Sequence, residues 1–293
     1  QIGQGVSIIR GAGPLTNAVL IAIIAVLGCG FIISAVSGVS RGVRYLSNFN
    51  ITLTLGLVIF VFFTGPTLLL LNLVPSGIVT YIDQLLPMMA KGLSWGDETI
   101  EFQSYWTAFY WAWWIAWTPF VGMFVARISR GRTLREFTAV TVFAPSLILI
   151  LAFTIFGGTA ITFQREELPN FDGSASGEQV LFAMFDHLPL SSITPFVLIV
   201  VLAVFFITSA DSASVIMGTM SSKGNPAPNK FIVIFWGLCM MGIAIVMLLT
   251  GGEDVLTGMQ NLTILSALPF CLVLLFMMVA FIKDLRSDPM FIR

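Results

Sequence analysis

The sequence predicts an all-α polytopic membrane protein with about seven transmembrane helices and an amphipathic helix on its outer surface. Of the 293 residues, 10% are charged and 57% are hydrophobic, whereas about a quarter of the residues of a soluble domain are charged. Uncharged runs recur along the chain, and each is as long as the roughly 20 residues that a helix needs to cross a bilayer. The alternating pattern of barrel strands is absent, which leaves helices as the spanning structure.

The uncharged runs place the spans in order along the chain. We expect them near residues 15–36, 49–72, 104–126, 138–160, 190–218, 230–250 and 257–282. Between the second and third spans, apolar residues recur at helical spacing, with Thr80, Asp83 and Gln84 turned away from them. This pattern predicts an interfacial helix over 76–92, either a gate or subunit contact or a linker that shields the bundle edge. Residues 164–187 predict a solvated outer loop.

The distribution of lysine and arginine predicts the orientation, because short cytoplasmic loops are enriched in these residues. With the spans as drawn, eleven of the fourteen basic residues fall on one side: Arg41, Arg44, Arg127, Arg130, Arg132, Arg135, Lys223, Lys230, Lys283, Arg286 and Arg293. We therefore expect a plasma-membrane protein with a cytoplasmic C-terminus. The same count places Gln1 outside, which predicts an odd number of preceding spans and a chain that is the C-terminal part of a longer transporter.

Several functional classes are excluded by composition. Cys29, Cys239 and Cys271 lie in apolar runs without metal-ligand or redox spacing, and His187 is the single histidine. An electron-transfer subunit is therefore not expected. Because no nucleophile, base and metal cluster appears, we predict neither an enzyme nor a cofactor, and no nucleic-acid partner.

The segment "FYWAWWIAWTPFVGMF" has an unusual density of indoles for a span. It contains Trp111, Trp113, Trp114 and Trp117, and no charge occurs from 102 to 126. In a regular helix we expect Trp111, Trp114 and Trp117 to share one face, and Trp113 and Trp117 to stack one turn apart. Trp114 lies ten residues after Ser104, where the span is expected to begin. At about 1.5 Å per residue, Trp114 is about 15 Å deep, near the middle of the bilayer. Tryptophan normally occupies the interfaces, as Trp106 would here.

The proline that follows these indoles predicts a bent or unwound helix near Pro119, and broken helices at the midplane bind substrates in transporters. Indole faces attract methylated onium groups, which cannot donate an N–H hydrogen bond. The absence of an acid in this span favours a zwitterion. Chemistry alone leaves three interpretations open: an onium-binding cage, a pocket for a hydrophobic or aromatic substrate, and dense core packing.

The segment "FYWAWWIAWTPFVGMFVARISRGRTLREF" resembles the signature of the betaine/carnitine/choline transporter family, and "FGGTAI" and "FFITSADSASVIMGTMS" continue the match. The resemblance implies a twelve-span transporter with an inverted-repeat core similar to that of the leucine transporter. Residues 1–103 would then form the end of the first repeat, 104–282 the second repeat, and 283–293 a cytoplasmic tail. It also implies a homotrimer.

The resemblance assigns roles to individual positions. Trp114 matches the family's central substrate tryptophan, Trp113 and Trp117 line the same path, and Trp111 extends the set. Phe120 matches an aromatic position near a second sodium site.

The same resemblance assigns the adjacent hydroxyls of Thr208 and Ser209 to a sodium site, although such residues commonly bond back to their own helix. Asp211 is interpreted as a gate or structural residue that bonds to the neighbouring serines or pairs with a basic loop residue. The expected function is sodium-coupled uptake of glycine betaine or a related quaternary ammonium osmolyte by alternating access, with Na⁺ as coupling ion. The alternatives are a sodium-independent exchanger of carnitine- or choline-type solutes and a non-transporting osmosensor.

Overall fold

The computed structural model of the chain describes residues 1–293 except 12, 38–39, 91–95, 172–174, 226, 251–252 and 288–293. The described residues form helices joined by turns and bends, and no strand occurs among them. The α-helices are α1 Ile2–Arg10, α2 Asn17–Ser37, α3 Ser40–Thr64, α4 Thr67–Ala90, α5 Asp97–Phe102, α6 Tyr110–Ile128, α7 Leu134–Ala152, α8 Gly158–Arg165, α9 Gly177–His187, α10 Thr194–Ser221, α11 Lys230–Thr250 and α12 Glu253–Ser287. The predicted all-α class is confirmed.

Seven helical stretches in the described part of the chain are long and apolar enough to cross a membrane, judged by length and composition. They are Asn17–Val36, Arg44–Thr64, Thr67–Ala90, Leu134–Arg165, Thr194–Ser221, Lys230–Thr250 and Asn261–Ser287. Five of them match predicted spans closely. The tryptophan-rich span expected over 104–126 is helical, but it is not among the seven, because indole and phenol groups lower its mean hydropathy.

The predicted second span, 49–72, is wrong at its C-terminal end. Helix α3 ends at Thr64, and α4 begins at Thr67 after Gly65 and Pro66. Proline cannot donate the backbone hydrogen bond that would continue α3, but it is favourable at the start of the next helix. The hydroxyl of Thr67 donates to the carbonyl of Phe62 at 2.8 Å and so satisfies one of the carbonyls at the end of α3.

The amphipathic segment predicted to begin at residue 76 is not a separate helix, because α4 continues through Pro75 to Ala90. A proline inside a spanning helix removes one backbone donor, and a neighbouring hydroxyl can satisfy the carbonyls that are freed. Pro75 leaves the carbonyl of Leu71 without its usual donor, and the hydroxyl of Ser76 donates to the adjacent carbonyl of Asn72 at 2.8 Å. The break between helices therefore lies at Gly65 and Pro66, before residue 72, where the second span was expected to end.

The chain separates into two compact units. The first contains 1–83 and 131–249, and the second contains 84–130 and 250–293. In the first unit α10 packs against α1, α2, α3 and α9. A small residue permits a close approach within this unit: a Cβ atom at Gly5 of α1 would clash with the ring of Phe182 on α9. Such small residues are typical of helix contacts in membranes.

The second unit pairs the tryptophan helix α6 with the long α12. Helix α6 follows α5 without interruption through a π-helical segment, Gln103–Phe109. A second π-helical segment, Phe153–Gly157, joins α7 to α8 in the first unit. Single π-helical turns occur often at functional sites, because they alter which side chains share a helical face.

The region 164–187 is not the solvated loop that its polarity predicts. Its second half forms α9, which begins with a reciprocal capping box between Ser176 and Gln179. Phe182, Met184 and Phe185 are 1%, 1% and 0% exposed and belong to the main hydrophobic core of the first unit. The polar residues before α9 dominate the average composition of this region, so composition alone did not indicate the apolar face of the helix. Helix α9 is therefore part of the hydrophobic core of the first unit.

Phe185 supports the first prediction. Replacing Phe185 by alanine should lower the stability of the protein by about 4 kcal/mol, because the ring is fully buried and its removal leaves a cavity. Thermal unfolding of the purified protein in detergent, followed by circular dichroism, measures the change. The matched control is Phe196→Ala, since Phe196 is 56% exposed. Equal melting curves for the two variants would contradict the placement of α9 in the core.

Candidate functional site

Helix α6 and the π-helical segment before it carry a continuous row of aromatic rings. Trp106, Tyr110, Trp113, Trp117 and Phe120 follow one another at helical spacing, with ring centroids 6.1, 5.9, 6.2 and 6.1 Å apart. Side chains three and four residues apart meet on one face of a helix, which explains the spacing. We call these five rings together with Trp114 the aromatic face. The predicted contact of Trp113 with Trp117 is present.

Trp114 lies beside the row and contacts the ring of Tyr110 at a centroid distance of 6.5 Å. The hydroxyl of Thr118 donates to the Trp114 carbonyl at 3.0 Å, one turn further along the same helix. Trp113, Trp114 and Trp117 are 43%, 53% and 51% exposed. The described chain therefore leaves much of each indole uncovered, and the described residues do not form a closed cage around these rings.

Trp111 is the most exposed of the four predicted substrate tryptophans, at 66%. At about 100° per residue it is displaced around α6 from Trp113 and Trp117. Its expected sharing of a face with Trp114 and Trp117 is therefore less complete than the i, i+3 spacing suggests, since each further step of three residues rotates the side chain by about 60°.

The helix does not unwind at Pro119, so this part of the prediction was wrong. Helix α6 continues through Pro119 to Ile128. One proline removes a single backbone hydrogen bond, and the remaining bonds of a long membrane helix keep the helix intact. The irregularity lies before the indoles instead, in the π-helical segment Gln103–Phe109.

The predicted hydroxyl pair lies in the first unit, on α10. Thr208 is half-buried, and its hydroxyl donates to the carbonyls of Val204 and Phe205, both at 3.0 Å. Ser209 is exposed. The back-bond uses the hydroxyl hydrogen of Thr208 and leaves its oxygen lone pairs for another partner. A cation could accept these lone pairs without breaking the bond.

Asp211 is buried within α10, at 6% exposure. Ser34 of α2 donates its hydroxyl to the Asp211 carboxyl oxygen Oδ2 at 2.6 Å. The sequence predicted a bond to a neighbouring serine or a basic loop residue, whereas the partner comes from a helix 177 residues away along the chain. The hydroxyl of Ser214, which is also buried, donates to the Asp211 backbone carbonyl. The pair Ser34 and Asp211 ties α2 to α10, in agreement with a gate or structural role.

The arrangement has no centre for transition-metal chemistry among the described residues, where no group of three or more His, Cys, Asp or Glu could hold a metal. The oxygen atoms on α10 suit a hard cation such as Na⁺ instead. Phe120 and the tryptophans belong to the second unit, and Thr208 and Ser209 belong to the first. Each cluster is thus positioned by the packing of its own unit.

A bundle of apolar helices with an aromatic face and polar groups inside its spans is typical of membrane transporters, whose sites lie within the bilayer. The model of the betaine/carnitine/choline family transporters (BCCT) matches residues 1–290. The chain therefore belongs to this family and is a multi-pass membrane protein.

Proteins of three bacteria are similar to it. The betaine/ectoine transporter LcoP of Corynebacterium glutamicum is 74% identical over 293 residues, which are 100% of this chain and 46% of LcoP. The glycine betaine transporter OpuD of Bacillus subtilis is 39% identical over 98% of this chain and 55% of its own length. A glycine betaine/proline/choline transporter of Vibrio parahaemolyticus is 37% identical over 99% and 51%. The chain spans about half the length of these curated relatives.

The bond between Ser34 and Asp211 supports a second prediction. Ser34→Ala should destabilise the protein by about 1 kcal/mol, because it removes a hydrogen bond between helices and leaves a buried carboxyl without that donor. Thermal unfolding in detergent measures the loss. Ser146→Ala is the control, since Ser146 is exposed and donates to Val142 of its own helix. If both variants melt like the unchanged protein, the bond does not hold α2 to α10.

Proposed function

We propose that the protein is a sodium-coupled symporter that takes up glycine betaine or a related quaternary ammonium osmolyte by alternating access. The aromatic face of α6 is the observation that carries this proposal. Membership of the betaine/carnitine/choline family supports the transport of an onium solute, and the printed functions of LcoP and OpuD support a betaine. The rest of the site would come from parts of the transporter that this chain does not span.

The chemistry of the aromatic face fits a methylated ammonium group. Such a group cannot donate an N–H hydrogen bond, so a carboxylate has less advantage over water, whereas each desolvated indole contributes on the order of 2 kcal/mol. Residues 102–126 contain no charge. A zwitterion brings its own carboxylate, and this favours betaine over a bare cation that needs a counter-ion from the protein.

Three indoles of α6 have different roles in binding the onium substrate. Trp114 stacks on the onium headgroup, while Trp113 and Trp117, whose centroids are 6.2 Å apart, guide it along the inner pathway. Trp111 adds an indole beside them on the same helix. The mutual contacts hold these rings in place before substrate arrives, which reduces the conformational entropy lost on binding.

Sodium binds to the oxygen atoms of Thr208 and Ser209 on α10, and Phe120 lies near a second sodium position. One Na⁺ that moves down a membrane potential of 100 mV releases about 2.3 kcal/mol before its concentration gradient is counted. One or two ions therefore suffice to drive steep accumulation of the osmolyte.

The setting of the transporter follows from the same proposal. The complete protein is a plasma-membrane homotrimer of twelve-span subunits with a leucine-transporter-like core and a cytoplasmic C-terminus. An amphipathic segment is predicted over 76–92. Its described part, up to Ala90 in α4, is exposed and suits contacts with neighbouring subunits.

The assignment of Trp114 supports a third prediction. Trp114→Leu should weaken glycine betaine binding by the intact protein about 30-fold, which corresponds to the loss of one desolvated indole face. Tryptophan-fluorescence titration or radioligand binding measures the affinity. The control is Trp106→Leu, which removes an indole at the outer end of the same face. Unchanged affinity in the Trp114 variant would remove the cage assignment.

Sodium coupling supports a fourth prediction. Radiolabelled betaine uptake into vesicles should fall to background when sodium is replaced by potassium, and Thr208→Ala combined with Ser209→Ala should raise the sodium concentration needed for half-maximal uptake. Equal accumulation in potassium buffer would instead indicate a sodium-independent exchanger. Binding without any flux would indicate an osmosensor.

A further inference from the structure

Asn50 of α3 is a buried polar side chain that has no hydrogen-bond partner at its amide oxygen. The residue is 8% exposed, and its Oδ1 atom lies out of contact with solvent. It belongs to the spanning stretch Arg44–Thr64. A buried acceptor without a donor costs about 1 to 3 kcal/mol, and polar groups inside membranes are functional by default. The oxygen is therefore free to bind something that the described protein atoms do not supply.

The helical face that carries Asn50 also carries the residues that pack on α10. Asn50, Leu57 and Val61 are the buried residues of α3, and their spacing of seven and eleven residues places them on one face. Leu57 and Val61 belong to the same hydrophobic core as Leu198 and Val201 of α10. Since α3 packs against α10, Asn50 is on the side of α3 that faces this helix.

The depth of Asn50 follows from the direction of the two helices. The shared core joins the C-terminal part of α3 to the N-terminal part of α10, so the helices are antiparallel. Asn50 lies seven residues before Leu57, and Thr208 lies seven residues after Val201. Both steps correspond to a rise of about 10 Å. For antiparallel helices, these equal steps bring Asn50 and Thr208 to about the same depth.

We propose that the amide oxygen of Asn50 is a third side-chain ligand of the sodium ion held by Thr208 and Ser209, an assignment that depends on the proposed sodium coupling. Amide, carbonyl and hydroxyl oxygens are the ligands that hard cations prefer. The hydroxyl hydrogen of Thr208 is already donated to α10 carbonyls, so its lone pairs are available to a cation.

The ligand would connect two helices whose shared apolar core lies at Leu57, Val61, Leu198 and Val201. A cation held between Asn50 of α3 and Thr208 of α10 stabilises their packing only while the ion is bound. Sodium binding would therefore change the stability of the first unit as well as the transport rate, which provides a measurement independent of uptake.

The test compares Asn50→Ala with Asn48→Ala in the intact protein. Asn48 has the same chemistry and lies two residues away on the same helix, but it is exposed. Asn50→Ala should raise the sodium concentration for half-maximal betaine uptake about tenfold, the scale on which single groups at a metal site act. Asn48→Ala should leave it unchanged. Sodium should raise the melting temperature of the unchanged protein and of Asn48→Ala, and should raise that of Asn50→Ala much less.

A second variant separates ligation from folding. Asn50→Asp keeps an acceptor oxygen at the same position and should restore the sodium response that Asn50→Ala loses. If uptake by the unchanged protein depends on sodium but Asn50→Ala behaves like Asn48→Ala in both measurements, Asn50 is not a ligand and holds water at most. If uptake by the unchanged protein is independent of sodium, the proposed coupling itself is wrong.

Discussion

The need to satisfy polar groups inside an apolar solvent governs most of this structure. In hydrocarbon each backbone N–H and C=O must find a partner within the protein, and this restricts the described chain to helices. The same requirement applies to polar side chains. Thr208 bonds back to carbonyls of α10, Thr67 caps the end of α3, and Ser34 meets Asp211 across two helices. The amide oxygen of Asn50 is a departure from this rule, and each departure of this kind requires an explanation such as a bound ion or water.

Helix α10 brings several of these groups together. It contacts α1, α2, α3 and α9, and it contains both the hydroxyl pair and a buried acid. Helix α2 packs closely enough against α10 for the Ser34 hydroxyl to donate to Asp211 at 2.6 Å. The polar groups of the first unit are therefore positioned by helix packing, whereas the aromatic face of the second unit is organised within one helix by its i, i+3 and i, i+4 contacts.

Sequence reasoning succeeded where periodicity and composition act locally. The helical class, five of the span positions and the contact between Trp113 and Trp117 follow from uncharged length and helical spacing. Sequence reasoning failed where the effect of a proline on its helix depends on neighbouring groups. Pro66 ends a helix beside Gly65, Pro75 does not interrupt α4, where Ser76 satisfies Asn72, and Pro119 does not unwind α6. It also took α9 for a solvated loop, because the polar residues before it outweighed four buried positions.

The sequence by itself determined that this is a helical membrane protein of the betaine/carnitine/choline family, with indoles at helical spacing and a pair of adjacent hydroxyls. These properties depend on residues close together in the chain. Only the tertiary structure decided that Ser34 is the partner of Asp211, that Asn50 is buried without one, and that the core closes on α9. These arrangements depend on how helices that are far apart in the sequence pack against one another. The spacing of side chains within one helix does not specify which helix packs against it.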